Sequence, residues 1–374
     1  MTANILDRAF AHGHASANDW REALDRCLEQ CRMPVSGATL GFVYASEHFA
    51  NDLDAIRAQL VVKTGVTHWT GTVGVGICAN GKEYFGRPAL AVMLCDIGEG
   101  HFTVLPSLHS LRETELAVVS VGAGTPNFAV VHGDPATPEL APMIKALAGK
   151  LESGFVVGGL TSSRGACPRV PNGERPGLSG VVFSGDVVVA TRLTQGCAPI
   201  GPRRTITRAQ RNILITIDGR PALDVLREDL GGPSASLDSV QYHVFAGLPV
   251  KTSDTEDYLV RHLIGTDSAR GLVAIADTVE TGASVFFCTR DKASASDDLE
   301  RMLRSIKSGL YRVPKGALYY SCLGRGPNLF GGDSQELRII RDHLGEVPLV
   351  GFFGNGEISH DRLYGYTGVL TLFL

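Results

Sequence analysis

The residues best suited to chemistry lie in one glycine-rich stretch, YYSCLGRGPNLFGGDSQE (residues 319–336). An apolar run ends at Ser321, Cys322 follows, and four glycines lie around the lone Arg325. Glycines let a backbone approach a ligand closely, a cysteine can act as a nucleophile, and an arginine can bind an anion. The stretch is therefore compatible with a phosphate loop, a nucleophile loop or a ligand cradle.

A phosphate loop is disfavoured by the residues that follow the glycines. A Walker A loop requires a lysine and a hydroxyl directly after its last glycine. Gly326 and Gly331 have the required separation. They are followed by Gly332 and Asp333, and the carboxylate of Asp333 would repel a phosphate. The segment GVGICANG (residues 74–81) also lacks the third glycine of a dinucleotide-binding loop. We therefore expect no nucleotide site.

Cys322 is a candidate nucleophile because Arg325 is close in sequence and a predicted helix begins downstream. A cation and a helix N-terminus that point at a thiol lower its pKa. The alternative is a small buried residue, since free cysteines are often packed in cores. No G-x-S-x-G elbow supports hydrolysis, and Glu357 has no evident carboxylate partner for acid–base catalysis. We expect no enzyme, with a Cys322-dependent enzyme as the less favoured alternative.

The histidines do not form a metal-binding pattern. No H-x-x-x-H or H-E-x-x-H spacing occurs among the eleven histidines. His132, in VVHGDP, and His360, in EISHDR, follow predicted strands and are the weak candidates for a haem ligand. A hydrogen-bonded structural or surface histidine is the commoner role in such positions. We expect no metal and no cofactor, with haem as the alternative.

Three segments share one order of elements: a buried strand, a polar loop, a helix, and a strand that runs into glycines. The first strands are GATLGFVYAS (37–46), NFAVVHGD (127–134) and GALYYSC (316–322). The helices that follow carry apolar residues at helical spacing, as in Leu140 and Ile144. Such units favour helices packed on mixed sheets. The predicted fold class is α/β, with two related domains of mixed β-sheet flanked by helices and built from recurring strand–loop–helix–strand units.

A proline- and glycine-rich segment, CAPIGP (197–202), indicates a domain boundary. We expect a helical lead-in over residues 1–34, a first domain over 35–200 and a second domain over 203–374. The first domain contains two copies of the recurring unit, and the second contains the third copy.

The composition is that of a globular protein. The chain has 374 residues, of which 44% are hydrophobic and 20% charged, and its formal net charge is -4. This balance gives no electrostatic reason to bind nucleic acid or acidic lipid. No apolar run reaches the ~20 residues of a membrane span, and the N-terminal residues lack a signal-peptide pattern. The eight cysteines show no C-x-x-C spacing. We expect a cytoplasmic protein with reduced thiols and with no nucleic-acid or membrane partner.

Several segments resemble the FIST domains. The C-terminal FIST domain is similar to ALYYSCLGRGPNLFG, EVPLVGFFGNGEIS and LYGYTGVLTLF. The N-terminal FIST domain and its junction are similar to GFVVGGLTSS, SGVVFSGDVVVATRLTQGCAPIGP and RNILITIDGRPALDVL. The resemblance covers nearly all of the chain after about residue 35. It identifies the domain over 35–200 as a FIST N-terminal domain and the domain over 203–374 as a FIST C-terminal domain.

The resemblance implies an intracellular sensory protein that binds a small ligand, with amino acids or other small anions as candidates. Bacterial members are associated with histidine kinases and diguanylate cyclase systems, and some are haem-based nitric-oxide sensors. No kinase, cyclase or F-box segment is visible in this sequence. The resemblance therefore implies a stand-alone sensor with a separate signalling partner, and a haem-binding nitric-oxide sensor is the alternative.

Under this interpretation the glycine-rich loops form a ligand cradle, although a purely structural role for their glycines is an alternative. Arg325 would hold a carboxylate, the two phenylalanines of GFFGNGE would form a wall, and Glu357 would bind an amine. The two loops follow strands on either side of one predicted helix (about 334–344), and parallel strands end at the same sheet edge. The predicted ligand-binding residues are Ser321, Cys322, Gly324, Arg325, Gly326, Phe352, Phe353, Gly354, Asn355, Glu357, Thr161 and Ser162.

Overall fold

The computed structural model describes residues 10–31, 37–122, 124–171, 175–232, 243–250 and 257–374. The chain divides into two compact units. The first unit is discontinuous and consists of Met1–Thr194 and Asp298–Leu374, whereas the second consists of Gln195–Asp297.

The first unit contains three mixed sheets. In spatial order, the strands of the first sheet are β1 (Phe10–Ala15), β6 (Leu90–Cys95), β2 (Leu40–Ser46), β3 (His68–Gly74) and β10 (Arg169–Val170). Those of the second are β24 (Arg362–Tyr364), β23 (Glu357–His360), β9 (Phe155–Leu160), β8 (Pro126–Gly133), β11 (Leu178–Ser184) and β7 (Phe102–Leu108). Those of the third are β12 (Val189–Gln195), β25 (Thr367–Phe373), β21 (Gly316–Cys322), β22 (Leu349–Gly354), β4 (Gly76–Ala79) and β5 (Lys82–Phe85).

Seven α-helices occur in the described residues. They are α1 (Trp20–Gln30), α2 (Leu53–Thr64), α3 (Leu111–Leu116), α4 (Leu140–Ala148), α5 (Ala222–Asp229), α6 (Lys292–Ser308) and α7 (Gln335–Leu344). The apolar faces of α1 and α2 pack on one face of the first sheet, and α4 packs on the second sheet. None of the helices that the structure describes is long and apolar enough to cross a membrane.

Each sheet of the first unit contains one parallel pair of strands, and a helix connects the two strands of each pair. These pairs are β2–β3 across α2, β8–β9 across α4, and β21–β22 across α7. Parallel neighbours require a crossover connection of this kind. The predicted recurrence of a strand–loop–helix–strand unit is therefore confirmed, and all three copies lie in the first unit.

A glycine occupies the same position in the second strand of every copy. Gly71, Gly158 and Gly351 pair with the residue in the middle of the first strand. A Cβ atom at these glycines would lie 1.8, 1.8 and 1.7 Å from the carbonyl oxygens of that partner. No side chain fits there, so these glycines serve the close pairing of backbones rather than ligand contact.

The second unit is built on a closed barrel of six antiparallel strands. The barrel order is β14 (Arg204–Gln210), β15 (Ile213–Ile217), β19 (Leu272–Ile275), β18 (Tyr258–Asp267), β17 (Val244–Pro249) and β20 (Ser284–Thr289), which pairs back to β14. The short strands β13 (Ala198–Pro199) and β16 (Arg220–Pro221) pair with β20 and β15. Helix α5 packs Leu223 and Leu226 into the apolar core of the barrel.

The α/β class with mixed sheets is confirmed, but the copies are distributed differently from the expectation. The third copy joins the first two, and the described residues of the second compact unit form an antiparallel barrel, helix α5 and the start of α6. The boundaries 35–200 and 203–374 stay predictions. The expected lead-in over 1–34 contributes an edge strand, β1, as well as the helix α1.

Candidate ligand site

The two glycine-rich loops start at the same edge of the third sheet. Strands β21 and β22 run parallel in register, with Ser321 opposite Phe353 and Cys322 opposite Gly354. Leu323 N–H then donates to the Gly354 carbonyl at 2.9 Å. The two loops thus begin at one edge of the sheet, and their convergence on one ligand pocket stays a prediction.

Arg325 lies in the interior at this edge rather than in solvent. Its side chain is fully buried, and its Nε donates to Glu336 Oε1 at 2.7 Å. Its guanidinium also lies over the ring of Phe330, at 5.0 Å from the ring centroid. Burial, the largest single effect, would lower the pKa of Arg325, but the charges of Glu336 and Tyr319 and their hydrogen bonds together outweigh it, and the pKa is raised. The guanidinium is therefore a permanent buried cation.

Glu336 is the centre of a hydrogen-bond network that the sequence interpretation missed. Its carboxylate accepts from Tyr319 Oη at 2.6 Å, from Ser321 Oγ at 3.0 Å and from the Gly326 N–H at 2.8 Å. Together with the Arg325 contact, these donors surround a carboxylate that has no exposure to solvent. A buried charge with this many donors is well compensated.

Asp333 and Glu336 have the spacing of a capping box, but helix α7 does not begin with one. Ser334, at the N-cap, has a φ of 58° and makes no side-chain cap bond, and Asp333 also has a positive φ. Glu83 on β5 takes over the capping role, because its Oε1 accepts from the Leu337 N–H at 3.2 Å. Glu336 is thereby released to face Arg325.

Several polar atoms at this edge are buried without a hydrogen-bond partner. They are Nη1 and Nη2 of Arg325, Oε2 of Glu83 and Oε1 of Glu357. Glu83 Oε2 lies close to Gly326, where a Cβ atom would come within 3.3 Å of it. Buried polar groups in native proteins are normally hydrogen-bonded, and each one that is not requires an explanation.

Glu357 and Glu83 are carboxyl groups with raised pKa values. Glu357 is fully buried, and burial raises its pKa to about 8, although Thr367 donates to its Oε2 from both N–H and Oγ1. Burial, and secondarily the charge of Glu336, raises the pKa of Glu83 to about 8. Both carboxyls are therefore largely protonated at neutral pH, and each can ionise when a cation comes close.

Cys322 is not activated as a nucleophile. Burial, and then the charge of Glu357, raises the pKa of its thiol to about 12. Arg325 does lower the pKa of the thiol, as expected, but its effect is smaller than those of burial and Glu357. The thiol is thus protonated at neutral pH, which argues against a Cys322-dependent enzyme. None of the eight cysteines forms a disulfide.

The two phenylalanines that follow each other on β22 face opposite sides of the sheet. Phe353 contacts the ring of Phe85 at 4.9 Å and lies close to Gly326, on the side of Arg325. Phe352 faces the core instead, where its ring lies 5.4 Å from that of Tyr44. Only Phe353 is therefore placed to form a wall of the predicted cradle.

Strand ends from all three copies meet beside this edge. Ser162 Oγ donates to the Phe353 carbonyl and accepts from the Val75 N–H. Asn355 N–H donates to the Leu160 carbonyl at 2.9 Å, and the Asn355 side chain is exposed. Thr161 Oγ1 lies 2.7 Å from Thr72 Oγ1. The structure thus brings Thr161 and Ser162 next to the loop after β22, as the sequence interpretation grouped them.

His132 lies at the centre of the first unit and does not fit a haem ligand. Its two ring nitrogens lie 3.1 Å from Tyr44 Oη and 3.4 Å from Thr70 Oγ1. The ring also packs against Tyr320 and Phe352, and it has no solvent exposure. Burial lowers its pKa to about 3, so the ring stays neutral. Both nitrogens are occupied by hydroxyls, and aromatic rings fill the space that a porphyrin would need.

His360 does not fit a haem ligand either. It is exposed at the end of β23, with a φ of 63°. Its ring packs on Phe155 at 4.7 Å between centroids. A haem requires an enclosing apolar pocket around its axial ligand, and an exposed residue at a strand end does not provide one. No group of three or more metal-ligating side chains occurs in the residues that the structure describes.

Comparisons with known proteins identify the family of this chain. The profile of the FIST N domain matches residues 39–220, and that of the FIST C domain matches residues 222–360. The chain therefore belongs to the two-domain FIST family. An uncharacterized protein of Mycobacterium tuberculosis (strain H37Rv) is 29% identical over 381 aligned residues, which cover 97% of this chain and 98% of that protein. An uncharacterized protein of Mycobacterium bovis is 32% identical over 211 residues, or 53% of this chain and 52% of that protein.

Proposed function

We propose that this protein binds a small ligand at the edge where β21 and β22 end, and that it signals through a separate partner protein. FIST domains are associated with small-ligand sensing and signalling, which supports this proposal. The observation that carries the proposal is the set of buried polar atoms without partners at that edge. Arg325 offers two guanidinium nitrogens, and Glu357 and Glu83 offer one carboxyl oxygen each.

The ligand of this proposal is an amino acid or another small carboxylate. The planar guanidinium of Arg325 binds a carboxylate with its two Nη atoms, because Nε is already held by Glu336. Glu357 or Glu83 accepts from the ligand ammonium group. An unsatisfied buried polar group costs ~1–3 kcal/mol, so a ligand that satisfies these atoms gains that free energy on binding.

Access to Arg325 requires movement of the loop that follows β21. Arg325 and Gly326 are buried, whereas Cys322, Leu323 and Gly324 are half-buried and form the outer surface of the loop. Movement of a loop on ligand binding is a common way to transmit a signal to a partner protein. In this proposal the partner is a histidine kinase or a diguanylate cyclase system. We place the protein in the cytoplasm, because eight cysteines without a disulfide suit a reducing compartment.

The proposal does not include haem or thiol catalysis. Neither His132 nor His360 is placed to hold haem iron, and the thiol of Cys322 is protonated. When purified protein is supplemented with haem, we expect no Soret band that depends on His132 or His360. A Soret band that is lost in His132→Ala or His360→Ala would establish the haem sensor instead.

The experiment that tests the ligand site is a thermal-shift screen of the twenty amino acids and small carboxylates. A ligand stabilises the folded protein by mass action, by about 2.7 kcal/mol at a hundredfold excess over Kd. The variant is Arg325→Lys, which keeps the charge but removes the planar fork. The matched control is Arg169→Lys, because Arg169 is another fully buried arginine, paired with Asp134 Oδ2 at 3.3 Å.

The expected result is a ligand that raises the Tm of the wild type and of Arg169→Lys but not of Arg325→Lys. Glu357→Gln serves as a second variant if Arg325→Lys does not fold. It should weaken the binding of amino acids more than the binding of simple carboxylates. Equal shifts in all variants, or no shift with any compound, would contradict the site.

A further inference from the structure

A cavity of about 360 Å³ opens at the other end of the first unit. Strand residues of the first and third sheets line it, together with segments that precede or follow strands of all three sheets. Its apolar lining consists of Phe10, Ile97, Val187, Val188, Phe373 and Leu374. A volume of this size lies in the range of small-molecule sites.

The cavity is remote from Arg325. Lys315 lines it and directly precedes β21, whereas Cys322 ends the same strand. Seven residues of extended chain separate the two positions, which corresponds to about 23 Å. The cavity therefore cannot be part of the cradle at the other sheet edge.

The walls of the cavity are held in place by the core and by the backbone. Phe373 packs against Phe10 at 5.3 Å and against Phe183 at 5.8 Å between ring centroids. The backbone around it is fixed on both sides, since Lys315 N–H donates to the Phe373 carbonyl and Leu374 N–H donates to the Val188 carbonyl. The apolar surface is thus preformed.

The polar side of the cavity has an excess of acidic groups. His101 Nδ1 lies 3.2 Å from Asp186 Oδ2, and Lys315 Nζ donates to the Leu374 carbonyl at 3.1 Å. Asp96 completes the charged lining. Two carboxylates are thus present for one ammonium group, beside two aromatic rings. Both features favour a cation, through Coulomb attraction and through the faces of the rings.

We infer that this cavity is a second ligand site, which takes a small apolar amine with its ammonium group toward Asp186 and Asp96 and its apolar body against Phe10 and Phe373. This inference does not depend on the ligand site at Arg325.

The test uses three matched probes, 2-phenylethylamine, 2-phenylethanol and 3-phenylpropionate, and measures their affinities by titration calorimetry or by ligand-observed NMR. We expect the amine to bind at least tenfold more tightly than the acid at low salt, with the alcohol in between. Binding of the acid as tight as that of the amine would overturn the ligand class.

Two variants locate the binding. Val188→Trp places a large side chain in the cavity and should abolish binding of the amine. The control is Val118→Trp, because Val118 is 90% exposed and away from the cavity. Asp186→Asn should weaken the amine several-fold without affecting the alcohol. Unchanged amine binding in Val188→Trp would refute the site. Amine binding should be unchanged in Arg325→Lys, which separates the cavity from the ligand site at Arg325.

Discussion

Arg325 lies among three buried carboxyl groups. Glu336 contacts it directly, and the charge of Arg325 also lowers the pKa of Glu83 and of Glu357 against the larger effect of burial. Ionisation of all three carboxyls would leave two excess negative charges in the interior. Protonation of Glu83 and Glu357 avoids this, and it leaves both groups able to respond to a cationic ligand group.

A proton should therefore be released when an amino acid binds. Glu357, with a pKa of about 8, carries a proton at pH 7, and a ligand ammonium group beside it would lower that pKa. Calorimetric titration at pH 7 in buffers of different ionisation enthalpy should show up to about one proton released per ligand. Glu357→Gln should release less. Identical proton release in the variant would mean that Glu357 does not contact the ammonium group.

Cys322 should behave as a packing residue. Its thiol, with a pKa of about 12, should react with a disulfide reagent at pH 7 at least tenfold more slowly in the folded protein than in urea. Cys322→Ser should change ligand affinity less than threefold, because the thiol holds neither end of the ligand. A loss of binding greater than tenfold in Cys322→Ser would show that the thiol is part of the site.

At the scale of elements, local sequence patterns predict the helices and strands. They do not predict which strands pair over long distances in the sequence. The helices and the strands of each copy follow from apolar periodicity, which is a local signal. The chain from His68 to Ala79 forms two strands, β3 and β4, which belong to different sheets. Likewise, Glu83 caps a helix that begins about 250 residues later, and no short motif encodes such a contact.

The glycines of the parallel pairs should be intolerant of substitution. In Gly351→Ala the Cβ atom would lie 1.7 Å from the Tyr319 carbonyl oxygen, so β22 must shift away from β21. We expect a loss of more than about 3 kcal/mol in unfolding free energy, at or beyond the usual range for overpacking. Gly332→Ala is the control, because nothing lies within 4 Å of its Cβ position. Urea denaturation of both variants provides the measurement. Equal unfolding free energies of the two variants would contradict the argument.

At the scale of the molecule, the three copies meet around one polar centre. Tyr44, His132 and Tyr320 occupy equivalent positions in their copies, and their side chains form one hydrogen-bonded group. The sequence predicted the copies but not that they converge, because apolar periodicity does not tell which sheets face each other. The cavity was not predicted for the same reason, since its lining extends from Phe10 to Leu374.

Stability near neutral pH should be governed by the buried carboxyls. The pKa values of Glu83 and Glu357 are about 8 in the folded protein and about 4.5 in the unfolded chain. The folded state thus binds more protons in this window, and the unfolding free energy falls as pH rises from 4.5 to 8. His132, whose pKa is lowered to about 3, acts in the opposite direction below pH 6.5, and so does His14. The loss of unfolding free energy that the histidines do not offset is therefore expected between pH 6.5 and 8.

The loss should reach up to about 1.4 kcal/mol per pH unit for each carboxyl. Trp20 and Trp69 are the only tryptophans and both belong to the first unit, so their fluorescence reports the unfolding of that unit. Urea denaturation between pH 6.5 and 8 should show a falling stability for the wild type. The fall should be about half as steep in Glu357→Gln and nearly absent in the double variant with Glu83→Gln, since an amide does not ionise. Equal slopes in all three proteins would show that these carboxyls are already ionised in the folded state.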